Sequence, residues 1–279
     1  MCEFCTKHGE GKKWYLQAKN YGLDLASDLR RKKLISNFFQ VIDETGEKSL
    51  NQMKKLKAAP WIIQSLVSRN ITRKYKKEQF GQVVPMEDVE KIFEIINSIV
   101  RLPCVCRKTL TGREERYCFG ISVLPGWAWK KNKIDSSYIS GPYIQGMEEM
   151  KKEDALSLIK DFENKGLVHS IWTFVTPFIG GLCNCDRSDC LAMISTMNYN
   201  IKFMFKAEYV AQIDLDKCNG CRSCMRMCQF GAMGYSVGAK KGFIDVNHCY
   251  GCGVCRTACP NDAITLVDRV SIKEVSRNW

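Results

Sequence analysis

The sequence predicts an α+β protein in which a helical and α+β N-terminal region precedes a smaller, cysteine-rich C-terminal unit. Three observations support this prediction. Apolar residues recur at helical spacing in the first half, β-prone apolar runs follow, and short segments rich in cysteine and glycine begin near residue 207. With 279 residues, 45% of them hydrophobic and 26% charged, the chain has ordinary globular composition. We therefore expect two regions, 1–206 and 207–279.

Four helices are expected before this boundary. The first covers residues 14–45, where leucine, isoleucine and phenylalanine recur between basic residues. Pro60 begins the second helix. Pro85 begins the third, which has to stop before Pro103 because the residue preceding a proline disfavours the helical conformation. The fourth helix covers about 148–164.

Strands are expected at 117–124 and 167–176, where β-branched and aromatic residues are frequent. The most apolar stretch, 166–183, contains Pro177 and reaches only the lower edge of the length that spans a membrane. A membrane span is the alternative interpretation of this stretch. We favour one or two buried strands leading into a metal-binding loop, and we expect no transmembrane segment.

Two motifs of identical spacing, C-x-x-C-x-x-C-x-x-x-C, begin at Cys218 and Cys249. Three thiolates spaced in this way can surround one corner of a small cubane, while the fourth points toward the other cluster. The spacing therefore predicts two [4Fe–4S] clusters that exchange their last ligands. Cluster one is assigned Cys218, Cys221, Cys224 and Cys259, and cluster two is assigned Cys249, Cys252, Cys255 and Cys228.

Glycines accompany both motifs at places where the backbone has to approach inorganic sulfur. Backbone N–H groups in such turns form concavities that bind anions, and a cluster with its thiolates is an anion. The cofactor-binding positions expected on this ground are Gly220, Gly231, Gly251 and Gly253.

These motifs resemble those of the bacterial two-[4Fe–4S] ferredoxins, over about 207–268. The resemblance implies two short hairpins with two helical turns, and outer-sphere electron transfer without bond chemistry. One position departs from the family. Gln229 follows Cys228 where the family usually has proline, and this change affects the turn or the hydrogen bonding near cluster two rather than ligation.

Eight further cysteines precede the C-terminal motifs. Two groups have the same form, an apolar segment that ends in C-x-C and a third cysteine nearby, and three thiols leave each group one short of a tetrahedral set. The N-terminal C-x-x-C-x-x-H could supply what is missing. One or two further [4Fe–4S] clusters, a zinc ion bound with His8, and free thiols all remain open. The possible further ligands are Cys104, Cys106, Cys118, Cys183, Cys185, Cys190, Cys2 and Cys5.

The same residues resemble the CxCR and CNC elements found upstream of ferredoxin modules in iron–sulfur proteins of anaerobic bacteria, over about 87–195. Arg107 follows Cys106 directly. It could hydrogen-bond cluster sulfur, or it could be an ordinary surface arginine. A cubane with three cysteine ligands would leave one iron open for substrate.

We expect an iron–sulfur electron-transfer subunit that relays single low-potential electrons to or from a larger redox enzyme complex. The alternative is a reductase with an unusual, site-differentiated cluster in the N-terminal region. A redox-sensing, nucleic-acid-binding regulator is a lesser alternative, suggested by basic runs before residue 80 within a net charge of +12. No catalytic residue is assigned, and the basic face is expected to dock an acidic redox partner rather than nucleic acid.

The sequence indicates a reducing, cytoplasmic setting. Closely spaced cysteines favour metal binding over disulfides, and the first residues have no basic and apolar regions of a secretory signal.

Overall fold

The structure is a computed structural model that describes residues 13–22, 29–124 and 146–278, without the side chains of residue 32 and residues 36–45. A seven-stranded sheet organises the N-terminal region, in the order β4-β2-β3-β6-β5-β1-β7. All neighbours are antiparallel except β1 and β7, which are parallel. The strands are β1 (Gly81–Val83), β2 (Ser98–Leu102), β3 (Cys118–Ser122), β4 (Glu148–Glu149), β5 (Val168–Thr173), β6 (Ile179–Cys185) and β7 (Met204–Phe205).

Helices cover both faces of this sheet. They are α1 (Leu29–Lys57), α2 (Trp61–Glu78), α3 (Met86–Ile95), α4 (Val105–Thr111), α5 (Lys152–Asn164) and α6 (Leu191–Tyr199). Helices α3 and α5 pack on one face together with two 3₁₀ turns, Trp14–Leu16 and Ala18–Tyr21. Helix α1 lies over the other face, where it contacts α4 and α6. The sheet is therefore the middle of three layers.

The two faces of the seven-stranded sheet carry different side chains, apolar residues on one face and cysteines on the other. Phe119, Ile171 and Leu182 belong to the large apolar core beneath α3 and α5. Because successive side chains of a strand point to opposite faces, Cys118 and Cys183 point to the α1 side. The largest core thus supports the sheet from behind, and the cysteines lie on its opposite face.

Two of the helix predictions were wrong in their bounds. Within 14–45, the chain forms 3₁₀ turns up to Tyr21, and the helix begins at Leu29 and continues to Lys57; residues 23–28 lie outside the described part. The helix after Pro85 ends at Ile95. The segment expected to continue this helix toward Pro103 forms strand β2 instead, in which the successive residues Ile99 and Val100 face opposite sides of the sheet and are both buried.

The apolar stretch 166–183 forms β5 and most of β6, which confirms the prediction of buried strands. Among the described residues, no helix combines the length and apolar character needed to cross a membrane.

Helix α2 starts after Pro60 as expected, yet Trp61, Ile62 and Leu66 are more than half exposed. Arg31, in the first basic run, is buried and donates hydrogen bonds to the carbonyls of Phe174 and Val175.

The C-terminal region contains two small antiparallel sheets and two short helices. Strand β8 (Tyr209–Ile213) pairs with β11 (Ile264–Asp268), and β9 (Met233–Ser236) pairs with β10 (Lys241–Ile244). Helices α7 (Ser223–Met227) and α8 (Val254–Thr257) contact each other. The mixture of helices and largely antiparallel sheets confirms the predicted α+β fold class.

Candidate metal centres

The eight C-terminal cysteines are gathered into two sets of four. Each set lines a separate cavity of about 20 Å³. The sets take three thiols from one motif and the last thiol from the other, which is the arrangement that the spacing predicts. Cys218, Cys221, Cys224 and Cys259 surround the first cavity, and Cys249, Cys252, Cys255 and Cys228 surround the second.

Backbone amides point at four of these sulfurs in a repeated pattern. The amide of Ala232 donates to Cys228 Sγ at 3.3 Å, and the amide of Ala263 donates to Cys259 Sγ at the same distance. Ala211 and Gly242 make the corresponding contacts to the first cysteine of each motif, at 3.4 and 3.5 Å. N–H donors at cluster sulfur stabilise negative charge and so raise a cluster's reduction potential. The fit to an anionic cluster is therefore present in the backbone as well as in the thiols.

All four predicted glycines adopt positive φ, between 67° and 87°. At two of these positions, the structure shows a reason for glycine other than the expected approach of the backbone to inorganic sulfur. A Cβ on Gly220 would lie 2.3 Å from the Lys240 carbonyl oxygen, and a Cβ on Gly251 would lie 2.1 Å from the Tyr209 carbonyl oxygen. These two glycines thus allow the cysteine loop to pack against neighbouring backbone. Whether any of the four also contacts a cofactor stays a prediction.

Six of the other cysteines form one site instead of two. They come from the loop before α4 and its first turn, from β3, from β6, and from the loop before α6. Cys118 and Cys183 are direct cross-strand partners, which joins the two C-x-C groups. Together they line one cavity of about 230 Å³: Cys104, Cys106, Cys118, Cys183, Cys185 and Cys190. Cys2 and Cys5 lie outside the described residues, as does His8.

The six thiols form a continuous chain of sulfur contacts. Cys104 and Cys118 lie 3.6 Å apart between their Sγ atoms. From Cys118 the contacts continue through Cys183, Cys185 and Cys190 to Cys106. Three of them, Cys106, Cys118 and Cys183, keep accessible surface although protein surrounds them. That surface faces the cavity, so the sulfurs are available to a group inside it.

Thiol–thiol hydrogen bonds dominate the acid–base properties of this site. Bonds from Cys118 and Cys185 lower the pKa of Cys183 to about 6. Bonds from Cys106 and Cys185 likewise lower the pKa of Cys190, and the amides of Ala192 and Met193 at the start of α6 lower it further. The bond that Cys106 donates, together with burial, raises the pKa of that thiol. Burial and mutual repulsion oppose several thiolates in one place, and bound iron would supply the compensating charge.

Arg107 locks the two C-x-C groups together. Its guanidinium donates to Asp186 Oδ2 at 2.6 Å and to Asp189 Oδ2 at 2.7 Å, and it lies 4.2 Å from the centroid of the Tyr117 ring. Asp186 follows Cys185 and Asp189 precedes Cys190, so this one side chain connects both groups. The carboxylates raise the pKa of Arg107 although burial opposes its charge. The expectation of a surface arginine was wrong, because Arg107 is 5% exposed and binds carboxylates, including Glu115. A hydrogen bond from Arg107 to cluster sulfur stays a prediction.

The six-thiol site and the C-terminal region share an apolar cluster. Cys185 and Cys190 belong to it, and Cys228 and Cys252 pack against it. Phe230 and Tyr250, which lie close to Cys228 and Cys249 in the sequence, belong to this cluster and stack with ring centroids 3.9 Å apart. The thiols assigned to cluster two are therefore the C-terminal thiols that pack beside the six-thiol site.

Two polar residues have structural roles near this contact that sequence reasoning did not assign: Gln229 joins the two regions, and Arg269 joins segments within the C-terminal region. Gln229 donates from Nε2 to the Gly166 carbonyl at 3.0 Å and accepts the Arg187 amide at 3.1 Å, so the residue that replaces proline connects the two regions. Arg269 is fully buried and donates to the carbonyls of Ala207, Tyr209 and Cys249. Its only sequence signal is a charge directly after a strand, which is common at surfaces.

Among the described residues, no three histidine, cysteine, aspartate or glutamate side chains converge as a single-ion site requires. The thiols in all three places surround cavities instead.

Comparison with known families supports the C-terminal assignment. Residues 211–260 match the model of the 4Fe-4S dicluster domain family. The chain therefore has a C-terminal ferredoxin-like 4Fe-4S domain. Domains of this kind bind iron–sulfur clusters and transfer electrons. No curated protein matches the chain.

Proposed function

We propose that the protein conducts single low-potential electrons between a redox partner and an iron–sulfur centre held by the six-thiol site. The observation that carries this proposal is the shared apolar cluster, to which Cys185 and Cys190 belong and against which Cys228 and Cys252 pack. When bound, [4Fe–4S] clusters take up and release one electron without making or breaking bonds. The chain holds the donor sets in close succession and excludes water between them.

The other end of this path is exposed. Cys221, assigned to cluster one, is at the surface, next to Arg222 and within a loop that packs on the β9–β10 turn. Three large apolar side chains, Leu215, Val237 and Phe243, are more than half exposed in the segments around it. Exposed apolar side chains with Arg222 among them suit contact with an acidic partner protein. We infer that the partner docks here and that cluster one exchanges electrons with it.

Iron content and electron paramagnetic resonance at stepped potentials test the proposal. Two C-terminal [4Fe–4S] clusters account for about eight iron ions per chain, so a third centre requires more iron and a further signal. A content of about eight, with no signal beyond those of the C-terminal pair, would remove the six-thiol centre from the proposal.

The order of the path is tested with a reduced ferredoxin as a protein-sized electron donor. Cys252→Ser removes a ligand of cluster two and leaves the six thiols intact. We expect it to slow reduction of the N-terminal centre strongly, and Thr265→Ala, at an exposed position of β11, to leave that rate unchanged. Equal rates for Cys252→Ser and the unchanged protein would contradict the path.

A further inference from the structure

The six-thiol cavity extends beyond its sulfurs. Cysteines line one side, and the remainder of the wall comes from α1, α2, α6, the end of β2, β5 and the segment before β7. At about 230 Å³, this cavity is roughly tenfold larger than either cavity of the C-terminal motifs, each of which belongs to a site for one cubane. Even two parts of cubane size at the thiols would leave space beside them. We call this space the chamber.

The chamber wall is neutral and mostly apolar. Met53, Trp172 and Phe203 line it, with polar groups contributed by Ser49, Tyr75 and Gln79. No charged residue is among the described residues that line the cavity. Desolvating an anion here would therefore have no compensation from a positive charge, and a cation has no lone pair to offer to iron. Both points favour a small uncharged ligand.

Two aromatic walls are held in fixed positions. The Trp172 ring lies against Gly81, where a Cβ would come within 2.6 Å of the ring, and its indole N–H donates to Ser170 Oγ at 3.0 Å. Tyr75 packs edge-on against Phe203 with ring centroids 4.2 Å apart. These contacts keep the space open in the absence of ligand, as in preformed binding pockets.

The number of thiols points in the same direction. Six thiols are more than the four that a single cubane needs and fewer than the eight that two cubanes need. A centre of two cubane-sized parts held by these thiols has iron without a cysteine ligand. On the side facing the chamber, such iron is accessible to another donor atom.

We infer that the chamber is a binding site for a small uncharged molecule that coordinates iron of the six-thiol centre. This inference rests on the proposed function, since it requires an iron–sulfur centre at these thiols. It makes the site a place of substrate binding as well as an end of the electron path.

Carbon monoxide is a suitable probe, because it is small, uncharged and binds reduced iron. We expect it to change the paramagnetic spectrum of the N-terminal centre in the reduced full-length protein and to leave the C-terminal signals unchanged. Ser49→Phe fills the chamber without removing a thiol, so it should abolish the change at unaltered iron content. Gln52→Phe places the same ring on the exposed side of α1 and should respond as the unchanged protein does.

The outcomes separate the two proposals. Iron above about eight per chain with no response to carbon monoxide would overturn the chamber and leave the electron path standing. Iron of about eight would remove both. A response that persists in Ser49→Phe would place the open iron elsewhere. The double change Cys2→Ser and Cys5→Ser should leave iron content and response unaltered; a loss of iron would show that these thiols complete the coordination, and that the iron is not open.

Discussion

The two cysteine-rich regions gather their thiols by opposite means. In the C-terminal motifs, three of every four thiols are separated by two residues, and short turns bring them together. In the six-thiol site, residues from 104 to 190 meet only because β3 and β6 pair, with Cys118 opposite Cys183. The difference shows that spacing reveals a site built from local turns, whereas a site built by a sheet requires the sheet itself.

The largest expected difference between the regions concerns iron. Replacing Cys183 and Cys185 by serine removes two neighbouring thiols from the chain of sulfur contacts. We expect the protein to lose the iron of the N-terminal centre and to keep about eight ions in the C-terminal pair. Iron analysis and the paramagnetic spectrum measure this. The matched change of Cys221 and Cys224 should have the opposite selectivity, and loss of all iron from either variant would contradict two independent regions.

The Arg107 contacts should be the most important polar interactions of the six-thiol site for stability. Arg107→Met leaves Asp186 and Asp189 without their buried partner, and breaking a buried ion pair in this way costs about 3–5 kcal/mol. Arg113 also contacts Asp189, but its side chain is half exposed. Arg113→Met should cost no more than about 1 kcal/mol. Thermal unfolding compares the two variants, and equal midpoints would show that Arg107 does not hold the groups together.

The backbone of the C-terminal region offers a matched pair of glycines. Gly220 and Gly231 both have positive φ, of 73° and 67°, but only at Gly220 would a Cβ collide with backbone. Gly231→Ala should therefore cost about 1–2 kcal/mol, the price of the left-handed conformation alone. We expect Gly220→Ala to cost more and to reduce the iron of cluster one. Denaturant unfolding measures both, and a smaller effect at Gly220 would mean that the loop shifts freely.

The smallest expected effect lies at the contact between the regions. Gln229→Ala removes the hydrogen bonds to Gly166 and Arg187, each worth about 0.5–1.5 kcal/mol. It should lower the unfolding free energy slightly, leave the iron content unchanged, and slow electron transfer between the regions. Gln212→Ala, at an exposed position in β8, serves as the control. An unchanged transfer rate in Gln229→Ala would confine this residue to a structural role.

Features built from residues that are close together in the sequence could be predicted, and features built from distant residues could not. The C-terminal octet was identifiable because its ligands are neighbours in sequence. The ion pairs of Arg107 were not predicted because Asp186 and Asp189 lie about eighty residues away, and no local pattern indicates such a pair. Strand β2 was mistaken for helix because Ile96, Ile99 and Val100 continue the spacing of α3, although buried β-branched residues also suit a central strand.

The pairing of β3 with β6 also bears on how the protein is made. Cys104 to Cys118 leave the ribosome well before Cys183, and no cavity exists between them until β6 has entered the sheet. Iron delivered earlier would meet unpaired cysteines and no enclosed site. If the six thiols hold an iron–sulfur centre as proposed, its assembly has to follow folding, once the ion pairs of Arg107 with Asp186 and Asp189 have joined the two C-x-C groups. The C-terminal motifs, whose ligands are adjacent in the chain, can acquire their iron while their own turns form.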